Sequence, residues 1–177
     1  MNKSNFYLLL LTGSNFFVIW CVALLNSVFN PWGIFVYLPG LLIIPQYQLL
    51  DSYRGVVSLL LSGFLWDHFF NHTLGFHAFF FGLIFLISRE FIRSGKQNPK
   101  FIILYQQTTN FILAVLWFLL CGLDNPENGN WYLSRFISDI LISALLLIPI
   151  SYWYIKFCNE LVYRFEPSLR RIITPSK

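Results

Sequence analysis

Apolar positions in this chain run on without alternation, in six stretches separated by short polar breaks at approximately 6–28, 32–50, 55–70, 76–92, 101–123 and 132–157. Continuous apolarity predicts helices, since a membrane barrel would alternate apolar and polar positions. Crossing a hydrocarbon core of about 30 Å takes roughly 20 helical residues, and the six stretches fit six membrane passes. The third and fourth are short and share the connection Asn71-His72-Thr73-Leu74-Gly75, which predicts a helical hairpin with little exposed loop. The second carries Pro39-Gly40 and Pro45, so a kink or break is expected in it. The first is too long for a signal-peptide core and has no A-x-A cleavage site, so it is expected to be a retained helix.

Composition agrees with this pattern. Hydrophobic residues make up 56% of the chain and charged residues 11%, with a mean hydropathy of +0.61. Soluble domains carry about 25% charged residues, so an integral membrane protein is expected, with no separate soluble domain. Cys21, Cys121 and Cys158 are isolated in or beside apolar runs, which fits buried free thiols rather than a disulfide framework or zinc site. Eleven of the twelve basic residues fall on one side if the N-terminus is inside, among them Lys3, Arg54, Arg89, Arg93, Lys96, Lys100 and those of a basic tail at 158–177. Arg135 alone falls outside. The positive-inside rule therefore predicts both termini in the cytoplasm. Trp32, Trp131 and Tyr132 are placed at the outer interface, and Tyr47, Tyr53, Trp153 and Tyr154 at the inner one. The net charge of +4 is met by this asymmetry and by anionic lipid, without nucleic acid.

Ionisable residues inside apolar runs are expensive and mark sites. At 1.5 Å per residue, Asp67 lies about 12 Å below the outer surface of a core about 30 Å thick, Asp139 about 10 Å and Arg135 about 5 Å. Arg135 and Asp139 are spaced i,i+4 and share a helix face. They are expected to pair, with Asp67 within reach. Such a group reads either as a buried clasp between helices or as a face that meets a partner helix or ligand. Asp67, His68, His72 and His77 cluster in sequence, but the turn at 71–75 interrupts their common face and no further ligands converge. Hydrogen-bonded histidines near the outer interface are expected rather than a metal site. Ser58 with Ser62, and Ser134 with Ser138, predict close helix packing. Gln106, Gln107, Thr108, Thr109 and Asn110 form a polar belt best explained by interhelical hydrogen bonds. The nucleophile-elbow, zinc-protease, P-loop and dinucleotide motifs are absent, so no catalytic residue and no cofactor is assigned.

One motif carries a family resemblance. A helix ending in Gly-x-x-x-Asp (Gly63 to Asp67), then a short turn, then Leu-Gly-x-x-Ala (Leu74, Gly75, then His77-Ala78) resembles the rod shape-determining MreD family of six-helix bacterial inner-membrane proteins. The string covers about 16 residues; length, hydropathy and span number resemble the family over the whole chain. Phe69 and Phe70, where smaller residues are usual, and a long outer connection after the fifth stretch depart from the pattern.

The resemblance implies an all-α polytopic membrane protein with a non-catalytic role in the cell-elongation machinery. It implies an MreC-like bitopic partner, linking an actin-like filament protein to peptidoglycan synthases. Gly63, Asp67, Leu74, Gly75 and His77, with Arg135 and Asp139, would then shape a partner-binding surface or structural clasp. Arg89, Arg93, Lys96 and Lys100 would touch cytoplasmic lipid or partner. MreD-like proteins are also similar to the six-helix substrate-binding subunits of energy-coupling-factor transporters, so the alternative is a small-molecule (vitamin-type) carrier in which Asp67, Arg135 and Asp139 line an outward pocket.

Overall fold

The computed structural model describes residues 3–94, 99–121 and 129–165. Among them the chain is helical, without strands: α1 (Lys3–Phe29), a 3-10 turn (Asn30–Trp32), a second 3-10 turn (Pro39–Leu42), α2 (Ile44–Leu49), α3 (Ser52–Phe69), α4 (Phe76–Ser94), α5 (Pro99–Cys121) and α6 (Gly129–Phe165). Three helical stretches, Asn5–Trp32, Lys100–Leu120 and Leu133–Arg164, are long and apolar enough to cross a membrane. α6 continues through the expected boundary at 157, with Pro149 inside it.

The second apolar stretch departs most from expectation. It is not one helix: residues 34–38 have no regular structure, and only the 3-10 turn and the six residues of α2 are wound. Pro39 supplies no N–H and disfavours helical geometry at Leu38, while Pro45 falls in the first turn of α2, where a missing N–H does no harm. Instead of facing lipid, this stretch is the core. Every residue from 36 to 46 is buried, and α1, α3, α5 and α6 all pack on it.

Contacts between helices give the relative directions of α1, α3 and α6. Thr12 donates to Ser58 and Asn15 to Ser62, so α1 and α3 run parallel. Tyr154 donates to Asn15, while Arg135 lies beside Asn30, so α6 runs antiparallel to α1. The irregular second stretch returns the chain from the end of α1 to the start of α3, where Arg54 reaches Asn5. Among the described residues the bundle thus consists of five long helices and one broken stretch.

Candidate functional site: a locked hairpin and a polar cradle

The α3–α4 hairpin is built on the absence of a side chain. A Cβ at Gly63 would lie 2.4 Å from both N and Cα of Ala78, so only glycine lets the two backbones meet there. One turn on, the Asp67 carboxylate receives the Gly75 N–H (2.8 Å), the His77 N–H (3.2 Å to each oxygen) and the His77 Nδ1–H (2.6 Å). An anion at the first turn of α4 meets the unpaired amides and the positive end of the helix dipole. The Asp67 carbonyl also accepts the His72 N–H. Gly75 has φ +94°, a left-handed backbone that glycine adopts without strain. Gly63, Asp67, Gly75 and His77 therefore converge on one function, closing the turn. Leu74 does not join them; it stands at the tip, 72% exposed.

The other ring nitrogen of His77, Nε2, lies 2.6 Å from the Tyr37 hydroxyl. With Nδ1–H given to Asp67, Nε2 accepts the phenol proton. The order hydroxyl, imidazole, carboxylate is that of an activated nucleophile, but all three groups are buried, Asp67 to 1%. The rings of Trp66, Phe81 and His72 pack around His77 in tilted and edge-on contacts. In this setting the relay fixes geometry: it ties the irregular core segment at Tyr37 to the hairpin lock.

Asp67 does not meet Arg135 or Asp139, contrary to expectation. Asp139 Oδ1 accepts the Phe35 N–H at 2.9 Å, and Oδ2 lies 3.8 Å from Arg135 Nε. The i,i+4 pair exists, but its carboxylate serves the core backbone. The two aspartates are joined through Tyr37, whose side chain reaches the Asp67 relay while its N–H is held by Ser143, itself bonded to the Asp139 carbonyl.

That contact belongs to a larger cradle. Asn26 holds both the N–H and the carbonyl of Val36. Asn110 holds the Tyr37 carbonyl and the Gly40 N–H, and Gln106 the Leu41 carbonyl. Non-helical backbone is tolerated in an apolar environment only when its polar groups are answered, because each orphan costs several kcal/mol. The belt expected on the fifth stretch thus bonds to core backbone through Gln106 and Asn110, and to α6 through Gln107, which donates to the Ala144 carbonyl. A Cβ on Gly40 would lie 2.6 Å from the Gln106 carbonyl, so α5 packs there against bare backbone.

Other expectations divide. Ser58 and Ser62 sit at the α1–α3 contact, whereas Ser134 and Ser138 are exposed. Of the three histidines only His77 has a hydrogen-bonded ring: His68 is exposed, and both ring nitrogens of His72 are buried without a partner. No cluster of three metal-ligating residues occurs among the described residues. Lys100 is exposed; Lys96 and the side chains of Arg89 and Arg93 lie outside the described residues. Sequence reasoning missed Asn15, Asn26, Tyr37 and Ser143. The signal available was two asparagines inside the most apolar run, since amides are placed there only when bonded.

Fold and site together define an all-helical protein of membrane character with an irregular core segment braced by polar side chains. Compared with family models, curated proteins and solved structures, the chain matches none.

Proposed function

We propose that this chain is a six-pass protein of the bacterial inner membrane, with both termini inside, that acts as a non-catalytic MreD-type scaffold of the cell-elongation machinery. Its partner is a bitopic MreC-like protein, through which it links an actin-like filament and the peptidoglycan synthases. The observation that supports this reading is the hairpin lock. The residues that carry the resemblance form one rigid turn, and they present Leu74 outward in place of a reactive group. A scaffold needs a preformed surface of this kind, because helix association in lipid rests on close packing rather than on hydrophobic contrast. The carrier reading is weaker: of Asp67, Arg135 and Asp139, only Arg135 lines the outer cavity, and the two aspartates hold backbone amides.

The test is recovery of a bitopic MreC-like protein with the tagged full-length chain from membranes, together with cell shape on depletion. Wild type is expected to recover the partner, Leu74→Arg to lose most of it while remaining inserted, and depleted rods to round up. Undiminished recovery with Leu74→Arg removes the tip from the interface. Lost uptake of a small molecule with shape unchanged would replace the scaffold by the carrier.

A further inference from the structure

An open cavity of about 270 Å³ lies along the groove between α5 and α6, lined by Gln107, Thr108, Asn110 and Phe111 from one helix and by Ile140 and Ala144 from the other. Both helices contain stretches long and apolar enough to cross a membrane, so the groove opens to lipid. At 1.5 Å per residue, Gln107 stands about 10 Å from the Lys100 end of its stretch and about 20 Å from the Leu120 end. Gln107 is half-buried, and its Nε2 donates one proton to the Ala144 carbonyl at 2.7 Å. A side-chain amide carries a second N–H and an acceptor oxygen. Among the described residues nothing answers either, and the oxygen is not enclosed by protein. The other polar lining residues are spent. Thr108 bonds Leu104 of its own helix, and Asn110 holds the core backbone on both sides. Acyl chains offer no hydrogen bond, and at this depth water does not answer the amide. On the same face Leu104, Thr108 and Phe111 are exposed, four and three residues apart, the seam repeat of helices that pack side by side. Thr108, small and central in that seam, lets a second backbone come close.

Two copies of one chain enter a membrane the same way, so a two-fold axis relating them runs along the membrane normal. Each residue beside that axis meets its twin at the same depth, and the contact needs groups that complement themselves. A charged side chain repels its twin. An amide gives its N–H to the other amide's oxygen and receives the same in return. A lone N–H or carbonyl from another sequence would leave half of the Gln107 amide orphaned. We infer that this chain pairs with a second copy of itself through α5, the two Gln107 amides exchanging hydrogen bonds and the Leu104–Thr108–Phe111 seams packed together. The inference does not rest on the scaffold reading.

Sedimentation equilibrium of the full-length protein in density-matched detergent micelles, over a range of protein-to-detergent ratios, tests the pairing. Wild type is expected to show a reversible monomer–dimer equilibrium. Gln107→Leu should weaken it about tenfold, the worth of hydrogen bonding between helices in a membrane. Thr108→Phe adds bulk at the seam without touching the bond from Gln107 to Ala144. It should abolish the dimer and leave thermal survival of the monodisperse protein unchanged. Leu9→Phe, a similar gain of bulk at an exposed position of α1, should match wild type. If Gln107→Leu loses its fold along with its bond to Ala144, Thr108→Phe decides alone. A wild type that stays monomeric at the highest ratio would overturn the pairing, as would a dimer undiminished in Thr108→Phe or in a folded Gln107→Leu. Equal losses in Thr108→Phe and Leu9→Phe, or an open-ended series of larger oligomers, would do the same. Lost thermal survival in Thr108→Phe would place position 108 inside the fold and overturn the seam. A different protein recovered one-to-one with wild type and lost in Thr108→Phe would overturn a second copy as the occupant.

Discussion

Gly63→Ala adds one methyl group at the α3–α4 crossing, and the structure says what it meets. The new carbon would stand 2.4 Å from Ala78 N and Cα and 2.7 Å from the His77 carbonyl carbon. All three are backbone atoms, so no rotamer change relieves the clash. Ordinary contact begins near 3.4 Å, and the helices must part by about 1 Å. Overpacking of this kind costs about 1–3 kcal/mol. Parting also lengthens the 2.8 Å bond from Gly75 to Asp67, one of a class worth about 1.5–3 kcal/mol. The helix preference of alanine over glycine returns about 1 kcal/mol, leaving a net loss of roughly 1.5–5 kcal/mol. Gly82→Ala is the internal control, made in the same hairpin. Its Cβ would lie 3.5 Å from Leu60 Cδ2, so it should be neutral or stabilising by up to about 1 kcal/mol. Thermal stability in detergent, read as the monodisperse fraction surviving a temperature series, compares the two. If Gly63→Ala survives as well as Gly82→Ala, the close crossing does not hold the hairpin and the reasoning fails.

Two further outcomes follow from the cradle and from the buried imidazole. Asn110→Leu keeps the branching at Cγ but removes the groups that bond the Tyr37 carbonyl and the Gly40 N–H, with an expected loss of about 2–4 kcal/mol. Thr108→Val, whose hydroxyl only bonds its own helix, should stay within about 0.5 kcal/mol; equal effects in the same thermal series would show that the cradle does not brace the core. In the connection between α3 and α4, burial first and His77 second hold the His72 imidazole down at about 4 from its usual 6.5, with Asp67 opposing. A depressed histidine favours its neutral form in the fold, so its contribution is present above pH 6.5 and drains away as pH falls toward 4. Stability should drop by up to about 3 kcal/mol across that window. His72→Phe, set among Phe35, Phe70 and Trp117, should flatten the slope; an unchanged slope in that variant would assign the pH response elsewhere.

The hairpin was legible because its signal is local. Gly63, Asp67 and Gly75 lie within 13 residues, and a glycine, a carboxylate and a turn glycine at that spacing have few other uses. The second apolar stretch was less so. Pro39-Gly40 and Pro45 announced a break, but a break in a lipid-facing helix and an irregular segment in the core share the same hydropathy. The partner of Asp67 was misplaced for a similar reason. Depth counting puts Asp67, Asp139 and Arg135 in one layer, yet depth says nothing about azimuth, and the side chain between the two aspartates is Tyr37, a residue with no charge to draw attention.

By itself the sequence determined the helical class and the α3–α4 hairpin. Both follow from apolar run length and turn chemistry, which act along the chain. Only the tertiary structure decided that the second apolar stretch is the core, that four polar residues from three helices, Asn26, Gln106, Asn110 and Ser143, answer its backbone, and that Arg135 borders a cavity rather than Asp67. Those outcomes depend on which helix faces turn inward together. That choice is set by the summed satisfaction of backbone groups far apart in sequence, which no local pattern encodes.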